Sequence, residues 1–216
     1  MTRIGIIGAG AVTAATIASL IAPTGLDPEI IIVNRTHSRA VGLAEDFTYA
    51  SAATSRARVR AGDYADLAGA DLVIITAGVN EKDGGATDRS DDQGRRVLDL
   101  IEESGEDVET VQSRIREAVT YSNISIIEGI GASQHGIGAV VGQITEAIAD
   151  DSHAIMPVAS HREEYGTFVG LPTVLGRGGA VRVLVPELTP QEQEQLDASA
   201  AILREADRIA FESAGL

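Results

Sequence analysis

Apolar and polar positions fall in blocks along this chain, and the period of each block predicts its element. Arg3–Gly8 is a short apolar run closed by glycine, which predicts a buried strand. Val12–Ile21 carries apolar residues at helical spacing and stops before Pro23. Glu29–Val33 (EIIIV) predicts a second buried strand, and Ser38 stands as the cap of a helix running to about Phe47. Arg56–Ala61 alternates and predicts a third strand. Tyr64–Ala68 predicts a helical turn, and Asp71–Thr76 (DLVIIT) a fourth buried strand. Buried strands alternating with helices predict a parallel sheet with right-handed crossovers.

The pattern changes at Ala77. Ala77–Asp92 (AGVNEKDGGATDRSDD) is polar, Gly-rich and aperiodic, and a loop of this kind is usually a functional lid or disordered. Gln93–Glu103 and Asp107–Glu128 read as helices, and Gly131–Ala149 as another that opens on small residues. His153–Val158, Thr167–Val169, Thr173–Leu175 and Ala180–Val185 are strand-like, with GRGG at 176–179 as the turn between the last two. Thr189 caps a C-terminal helix that has Pro190 at its first position. The expected fold is α/β: a partial Rossmann-type parallel sheet of four strands, then an α+β part with antiparallel strands and a C-terminal helix. The expected division is 1–92, a dinucleotide-binding βαβ unit with a substrate loop, and 93–216, a shortened substrate or C-terminal domain.

Composition narrows the function. With 216 residues, 44% of them apolar, the chain can bury a core as one large or two small domains. No internal period is present. The absence of cysteine excludes disulfides, thiolate catalysis and Cys-ligated metals, and no metal site is expected. No apolar stretch approaches a membrane span, and the run after Met1 is too short for a signal peptide, so a cytoplasmic protein with no membrane partner is expected. A net charge of −15 argues against a nucleic-acid partner, which needs a basic face. The 16 arginines against the single Lys82 have two readings, GC-rich codon usage or a salt-adapted acidic surface.

The chemistry begins at Gly8-Ala9-Gly10-Ala11-Val12-Thr13, which follows the first strand and opens the first helix. Glycines at 8 and 10 let a backbone turn approach a pyrophosphate, and the helix N-terminus then faces the anion. Thr13 replaces the third glycine of the usual fingerprint, and slightly looser helix–strand packing is expected. After the second strand an acidic residue would normally accept from the ribose 2′-hydroxyl of NAD. Here Asn34 stands there, followed by Arg35, Thr36, Ser38 and Arg39. Such a set would accept a 2′-phosphate that a carboxylate would repel, so the expected cofactor is NADP or NAD, with NADP favoured.

Several motifs together resemble the lactate/malate dehydrogenase family. DLVIITAGVNEKDGGATDRSDD looks like its fourth strand and substrate-covering loop, and GIGASQHGIGAVVGQITEAIADD (129–151) is similar to its pocket helix. The ending YGTFVGLPTVLGRGGAVRVLVPELTPQEQEQLDASAAILREA resembles its last strands and C-terminal helix. The resemblance implies a homo-oligomeric oxidoreductase acting on a small 2-hydroxy or 2-keto acid. It would place Val12 at the pyrophosphate turn, Asn34 and Arg39 at the adenosine ribose, and Tyr64 on the adenine side. Gly78 and Val79 would line the nicotinamide ribose, and Ile137 would touch the nicotinamide. Glu81 would face the substrate side chain, where its charge would disfavour a dicarboxylate. Arg89 would close over the substrate and polarise its carbonyl, and Ser133 would form a pocket wall.

Two departures bear on the mechanism. The loop has about two extra residues between Glu81 and Arg89. The segment that in the family joins the loop helix to the pocket helix is missing. With it go an Asn-Pro turn, the Asp and Arg of an LDxxR-like helix, and the catalytic His of a GEHG-like motif. Of the four histidines, His37, His153 and His161 read as solvated, His161 in a polar turn beside Arg162. His135, near Ser133, is the one substitute for the proton donor. Three readings follow: a working dehydrogenase with another acid, a cofactor-binding protein with impaired catalysis, or a structurally impaired deletion product. A strand order of 3-2-1-4 without a fifth strand would also leave Asp71–Thr76 at an edge.

Overall fold

The computed structural model describes residues 2–22, 26–78, 107, 109–111, 113–114, 124 and 126–214. It divides into two compact units, Met1–Gly142 and Gln143–Leu216.

The first unit is built on runs of β-branched residues. β1 (Arg3–Ile7), β2 (Glu29–Val33), β3 (Arg58–Gly62) and β4 (Leu72–Ile75) form one parallel sheet in the order β3-β2-β1-β4. Ile4, Ile6, Ile30 and Ile32 are wholly buried and pack with Ile17 and Leu20 of α1 (Ala11–Leu20) and with Ala40 and Ala44 of α2 (His37–Thr54). Tyr64–Leu67 is a 3₁₀ turn capped by the Asp63 carboxylate, which accepts from Ala65 N at 3.0 Å. Across the entry ends of the strands, Glu29 takes Arg3 Nε at 3.0 Å and Arg60 Nε at 3.4 Å. The Arg3 guanidinium, and after it Arg60, hold the Glu29 carboxyl below the ordinary carboxylate range against the opposing effect of burial.

β4 pairs with β1 and, among the described residues, with no second strand, as the open-edge expectation requires. Ile75 on that strand is 70% exposed. The strand expected at Ala180–Val185, a possible cover for that edge, is Gly179–Val183 and pairs within a separate antiparallel sheet.

α2 corrects the sequence reading in both cap and length. It starts at His37 with Thr36 at the cap position, not at Ser38, and continues past Phe47 to Thr54. The polar stretch after Phe47 stays helical because its hydroxyls are absorbed locally. Thr48 Oγ1 donates to Ala44 O (2.7 Å) and Ser51 Oγ to Thr48 O (3.1 Å). Residues 126–130 are helical, as are the described residues 109–111, 113–114 and 124. Gly131, at φ +79° with its N–H on Ile127 O (2.8 Å), stops that segment. The pocket-helix segment therefore begins later than expected, as α3 (His135–Ala149) rather than at Gly131. The expected helix over 93–103 lies outside the described residues, as does the loop from Val79 to Asp92.

The second unit contains an antiparallel sheet of β5 (Ile155–Arg162), β6 (Thr167–Gly176) and β7 (Gly179–Val183) in that order, with α4 (Pro190–Ala214) on one face. Val169 and Leu171 of β6 pack with Ala200 and Leu196 of α4. Two corrections apply. β5 runs on to Arg162, so His161 is a strand residue edge-on to Phe168 at 5.5 Å, not part of a polar turn. The two short strands expected at 167–169 and 173–175 are one strand, despite Pro172. Pro172 sits opposite Pro157 and its carbonyl takes Leu184 N (2.7 Å), so its ring nitrogen also faces the β7 side, just past the end of that strand. Neither proline thus interrupts a β5–β6 bond. The capping box of α4 forms as expected: Thr189 N donates to Glu192 Oε2 (2.7 Å) and Glu192 N to Thr189 Oγ1 (3.3 Å).

Candidate functional site

The strand register brings the candidate residues to one edge. Ile7 pairs with Val33 and with Ile75, and Val33 pairs with Gly62. The chain segments leaving these strands therefore emerge side by side at the C-terminal edge of the sheet: Gly8–Gly10 from β1, Asn34–Arg35 from β2, Asp63–Tyr64 from β3 and Thr76–Gly78 from β4. This is the edge at which open parallel sheets bind ligands.

Gly8 is required there twice over. Its φ is +124°, and a Cβ on it would lie 2.6 Å from Thr76 Oγ1 and 3.1 Å from Ala77 N. Its N–H donates to Val33 O at 2.8 Å, tying the turn to β2. Gly10, the N-cap of α1, is different: a Cβ on it would meet nothing within 4 Å, so space lies open in front of the first turn. The N–H groups of that turn have no carbonyl one turn earlier in the helix and are aimed outward. A diphosphate fits an open backbone cradle of this kind. Val12 is half-buried in the same turn.

Thr13, in the third-glycine position, does not loosen the packing. Its side chain is wholly buried and its Oγ1 lies 2.7 Å from Thr76 Oγ1. Gly10 N donates to Thr13 Oγ1 at 3.4 Å, and Thr76 Oγ1 donates to Ile7 O at 3.3 Å. Nothing local in the sequence signals this bridge, which joins residues 63 apart.

At the β2 exit, Asn34 is half-buried and its Nδ2 donates to Thr36 O at 2.9 Å, fixing the junction. Thr36 makes no side-chain cap bond. Arg35, Ser38 and Arg39 are exposed around it. Tyr64 is 65% exposed at the β3 exit, and Gly78 is exposed at the β4 exit.

α3 reaches the same end of the unit through a contact between small residues. A Cβ on Gly138 would lie 2.5 Å from both Ala15 C and Ala15 Cβ and 2.8 Å from Thr16 N, and one on Gly142 would lie 2.8 Å from Ser19 Cβ. Residues four apart on α3 thus meet residues four apart on α1 in the same direction. The two helices run parallel, and the start of α3 lies toward the pyrophosphate turn. Ile137 is exposed there and Ser133 is half-buried just before the helix. His135 is exposed, with its Nε2 3.3 Å from Gln134 Nε2. Ile137 is two positions after His135, about 200° around a helix, so the two side chains leave on opposite sides. Val79, Glu81 and Arg89 lie outside the described residues. Among the described residues no group of His, Asp and Glu is placed to hold a metal ion, and no helix is long and apolar enough to cross a membrane.

A four-stranded parallel sheet with a glycine turn at its C-terminal edge defines a dinucleotide-binding fold of the Rossmann kind. Family comparison carries this further. The model of the lactate/malate dehydrogenase NAD binding domain matches residues 2–128, and that of the family's alpha/beta C-terminal domain matches residues 87–213. The chain belongs to the lactate/malate dehydrogenase family of oxidoreductases. It is 25% identical to an L-lactate dehydrogenase of Deinococcus radiodurans over 296 aligned positions, covering 94% of this chain and 97% of the relative. It is 26% identical to an L-lactate dehydrogenase of Chloroherpeton thalassium, covering 94% and 98%. With 216 residues against 296 aligned positions, the chain leaves a large part of the relative's interior without a counterpart. Solved structures share the fold. A malate dehydrogenase from Archaeoglobus fulgidus in complex with NADH superposes with a TM-score of 0.75 at 21% identity, over 94% of this chain and 98% of that one. A minor L-lactate dehydrogenase from Enterococcus mundtii gives 0.75 at 18%, over 94% and 96%.

Proposed function

We propose that this protein binds a nicotinamide dinucleotide at the C-terminal edge of β1–β4, prefers NADP to NAD, and reduces 2-keto acids slowly or not at all. The observation that carries the binding half is the register that sets Gly8, Asn34 and Gly78 at adjoining strand exits around an open first turn of α1. In this reading the first-turn N–H groups, Gly8, Gly10 and Val12 hold the pyrophosphate. Asn34, Arg35 and Arg39 hold a 2′-phosphate, which a carboxylate at position 34 would repel. Tyr64 lies beside the adenine, and Gly78, Val79 and Ile137 lie beside the nicotinamide and its ribose.

The catalytic half follows from what reduction of a keto acid requires. A nicotinamide dinucleotide, held by the residues named above, would supply the hydride for the carbonyl carbon. The protein must then supply a proton to the carbonyl oxygen and a cation to grip the substrate carboxylate. Arg89, Glu81 and Ser133 keep their assigned roles on the substrate side. The family's proton donor, its carboxylate partner and its gripping arginine have no counterparts in sequence, and His135 leaves α3 on the side away from Ile137. Loss of general acid catalysis alone costs about 10²–10⁴-fold. The reading is therefore a dinucleotide-binding family member with impaired catalysis, acting as a homo-oligomer.

A steady-state assay of pyruvate- and oxaloacetate-dependent NADPH and NADH oxidation tests it. The expected turnover is far below about 1 s⁻¹, the lower end of the usual enzyme range. A value above that overturns impaired catalysis and makes His135→Ala the next variant.

A further inference from the structure

The partly buried Thr13–Thr76 pair is a polar linkage at the strand exits that the binding scheme above leaves without a role. Its hydrogens can be placed by counting. Each hydroxyl has a single proton. Thr76 Oγ1 gives its proton to Ile7 O at 3.3 Å, so across the 2.7 Å contact Thr13 is the donor and Thr76 the acceptor. Thr13 Oγ1 in turn accepts the Gly10 N–H at 3.4 Å. The linkage runs one way, from Gly10 N–H through Thr13 and Thr76 to Ile7 O, and every group along it is satisfied. It joins the phosphate turn, the first turn of α1, the end of β1 and the end of β4. Thr76 Oγ1 also lies 2.6 Å from where a Cβ on Gly8 would stand, so the bridge bonds Gly10 directly and adjoins Gly8.

We infer that Thr13 and Thr76 are positioning residues that hold the pyrophosphate turn and the nicotinamide-side exit of β4 in their binding geometry before the dinucleotide arrives. The third glycine of the fingerprint serves close packing of helix on strand. Here a hydroxyl bridge takes its place and adds a fixed hydrogen-bond register. A cradle ordered in advance loses less freedom on binding, and that difference appears as affinity. The two threonines act as one unit, since removing either breaks the same linkage.

The inference rests on the reading that a dinucleotide binds at this edge, and titration of the wild-type protein with NADH and NADPH, followed by cofactor fluorescence, tests that reading separately. If neither binds, both fall. If one binds, Thr13→Val and Thr76→Val should each weaken it about tenfold, with kinship to the net value of one hydrogen bond with a charged or oriented partner. The double variant should be no weaker than about either single one. Thr13→Ser, which keeps the hydroxyl, should bind within about twofold of wild type. Melting temperature is read alongside, because general destabilisation would lower it and would not distinguish serine from valine by affinity. Valine variants that bind like wild type, a serine variant as weak as valine, or losses that multiply in the double variant each overturn the inference while leaving the binding site in place.

Discussion

Gly138→Ala separates local helix propensity from packing, because the two predict opposite signs. Alanine is favoured over glycine in a helix interior by about 1 kcal/mol. At position 138, however, the added methyl would lie 2.5 Å from Ala15 C and Ala15 Cβ and 2.8 Å from Thr16 N. Two of these three atoms are main chain, so no rotamer change relieves the clash, and α3 must move away from α1. Overpacking of this kind costs about 1–3 kcal/mol or more. The propensity gain offsets part of it, leaving a net loss of up to about 2 kcal/mol. For a chain of this length that lowers Tm by up to about 8 °C. Gly42, exposed in the middle of α2, is the control: a Cβ there meets nothing within 4 Å. Gly42→Ala should raise Tm by about 2–4 °C through propensity alone. Differential scanning calorimetry on the two variants and the wild type decides the matter. If Gly138→Ala stabilises as Gly42→Ala does, α3 does not pack on α1 through Gly138, and the placement of Ile137 near the pyrophosphate turn fails with it.

Three further outcomes are expected. Asn34→Asp should shift cofactor preference from NADP toward NAD, and calorimetric titration showing that the wild type already binds NAD more tightly would refute the charge argument at the β2 exit. The Glu29 carboxyl is held below its ordinary value in the fold, chiefly by Arg3, so its stabilisation is present above about pH 4.5, the ordinary carboxyl value, and is lost as pH falls below that. Glu29→Gln should therefore lower Tm at pH 7, by no more than about 2 °C for a partly exposed pair, and the gap to wild type should close toward pH 3; a gap that is constant with pH would contradict it. Ile75→Lys should reduce self-association seen by light scattering at high protein concentration, since a charge on an apolar edge strand opposes pairing, whereas unchanged scattering would mean that this edge takes no part in association.

The parts of the fold visible in the sequence are those where one local cause dominates. β2 is bounded by the same residues in sequence and structure, because EIIIV has no competing pattern. The α4 capping box needs only Thr189 and Glu192, three residues apart. Errors arise where a distant partner decides. Pro172 looks like a strand break until it is set opposite Pro157, fifteen positions earlier, in a register that asks neither nitrogen for a bond to the other strand. The tail of α2 past Phe47 has a local cause instead: the Thr48 and Ser51 hydroxyls turn back onto their own helix, so a polar stretch stays helical. At the site, the turn glycines and the strand exits were legible, since strand order follows from alternating elements. The Thr13–Thr76 bridge was not, and neither was the docking of α3 on α1. For the latter a signal did exist: Gly138 and Gly142 share the four-residue spacing of Ala15 and Ser19, a match of small residues that permits close helix approach.

In the proposed reading, binding and chemistry occupy separable stretches of this fold, so that a shortened family member keeps one without the other. The four strands that carry the cofactor candidates lie in the first 75 residues, and each contributes at its own C-terminal exit. Their order, β3-β2-β1-β4, needs no later strand for the pyrophosphate turn, the ribose junction or the nicotinamide-side exit to adjoin. The proton donor and the carboxylate grip fall, in that reading, to the interior stretch of the relatives that has no counterpart here. Gly138 and Gly142 set α3 directly on α1, with its first turn toward the open space before Gly10. In the proposed reading Ile137 meets the nicotinamide, while His135 leaves the other side of the helix. A cofactor held in this way lacks a partnered acid, so the physical expectation for the chain is affinity for the dinucleotide that exceeds by far its capacity to use it.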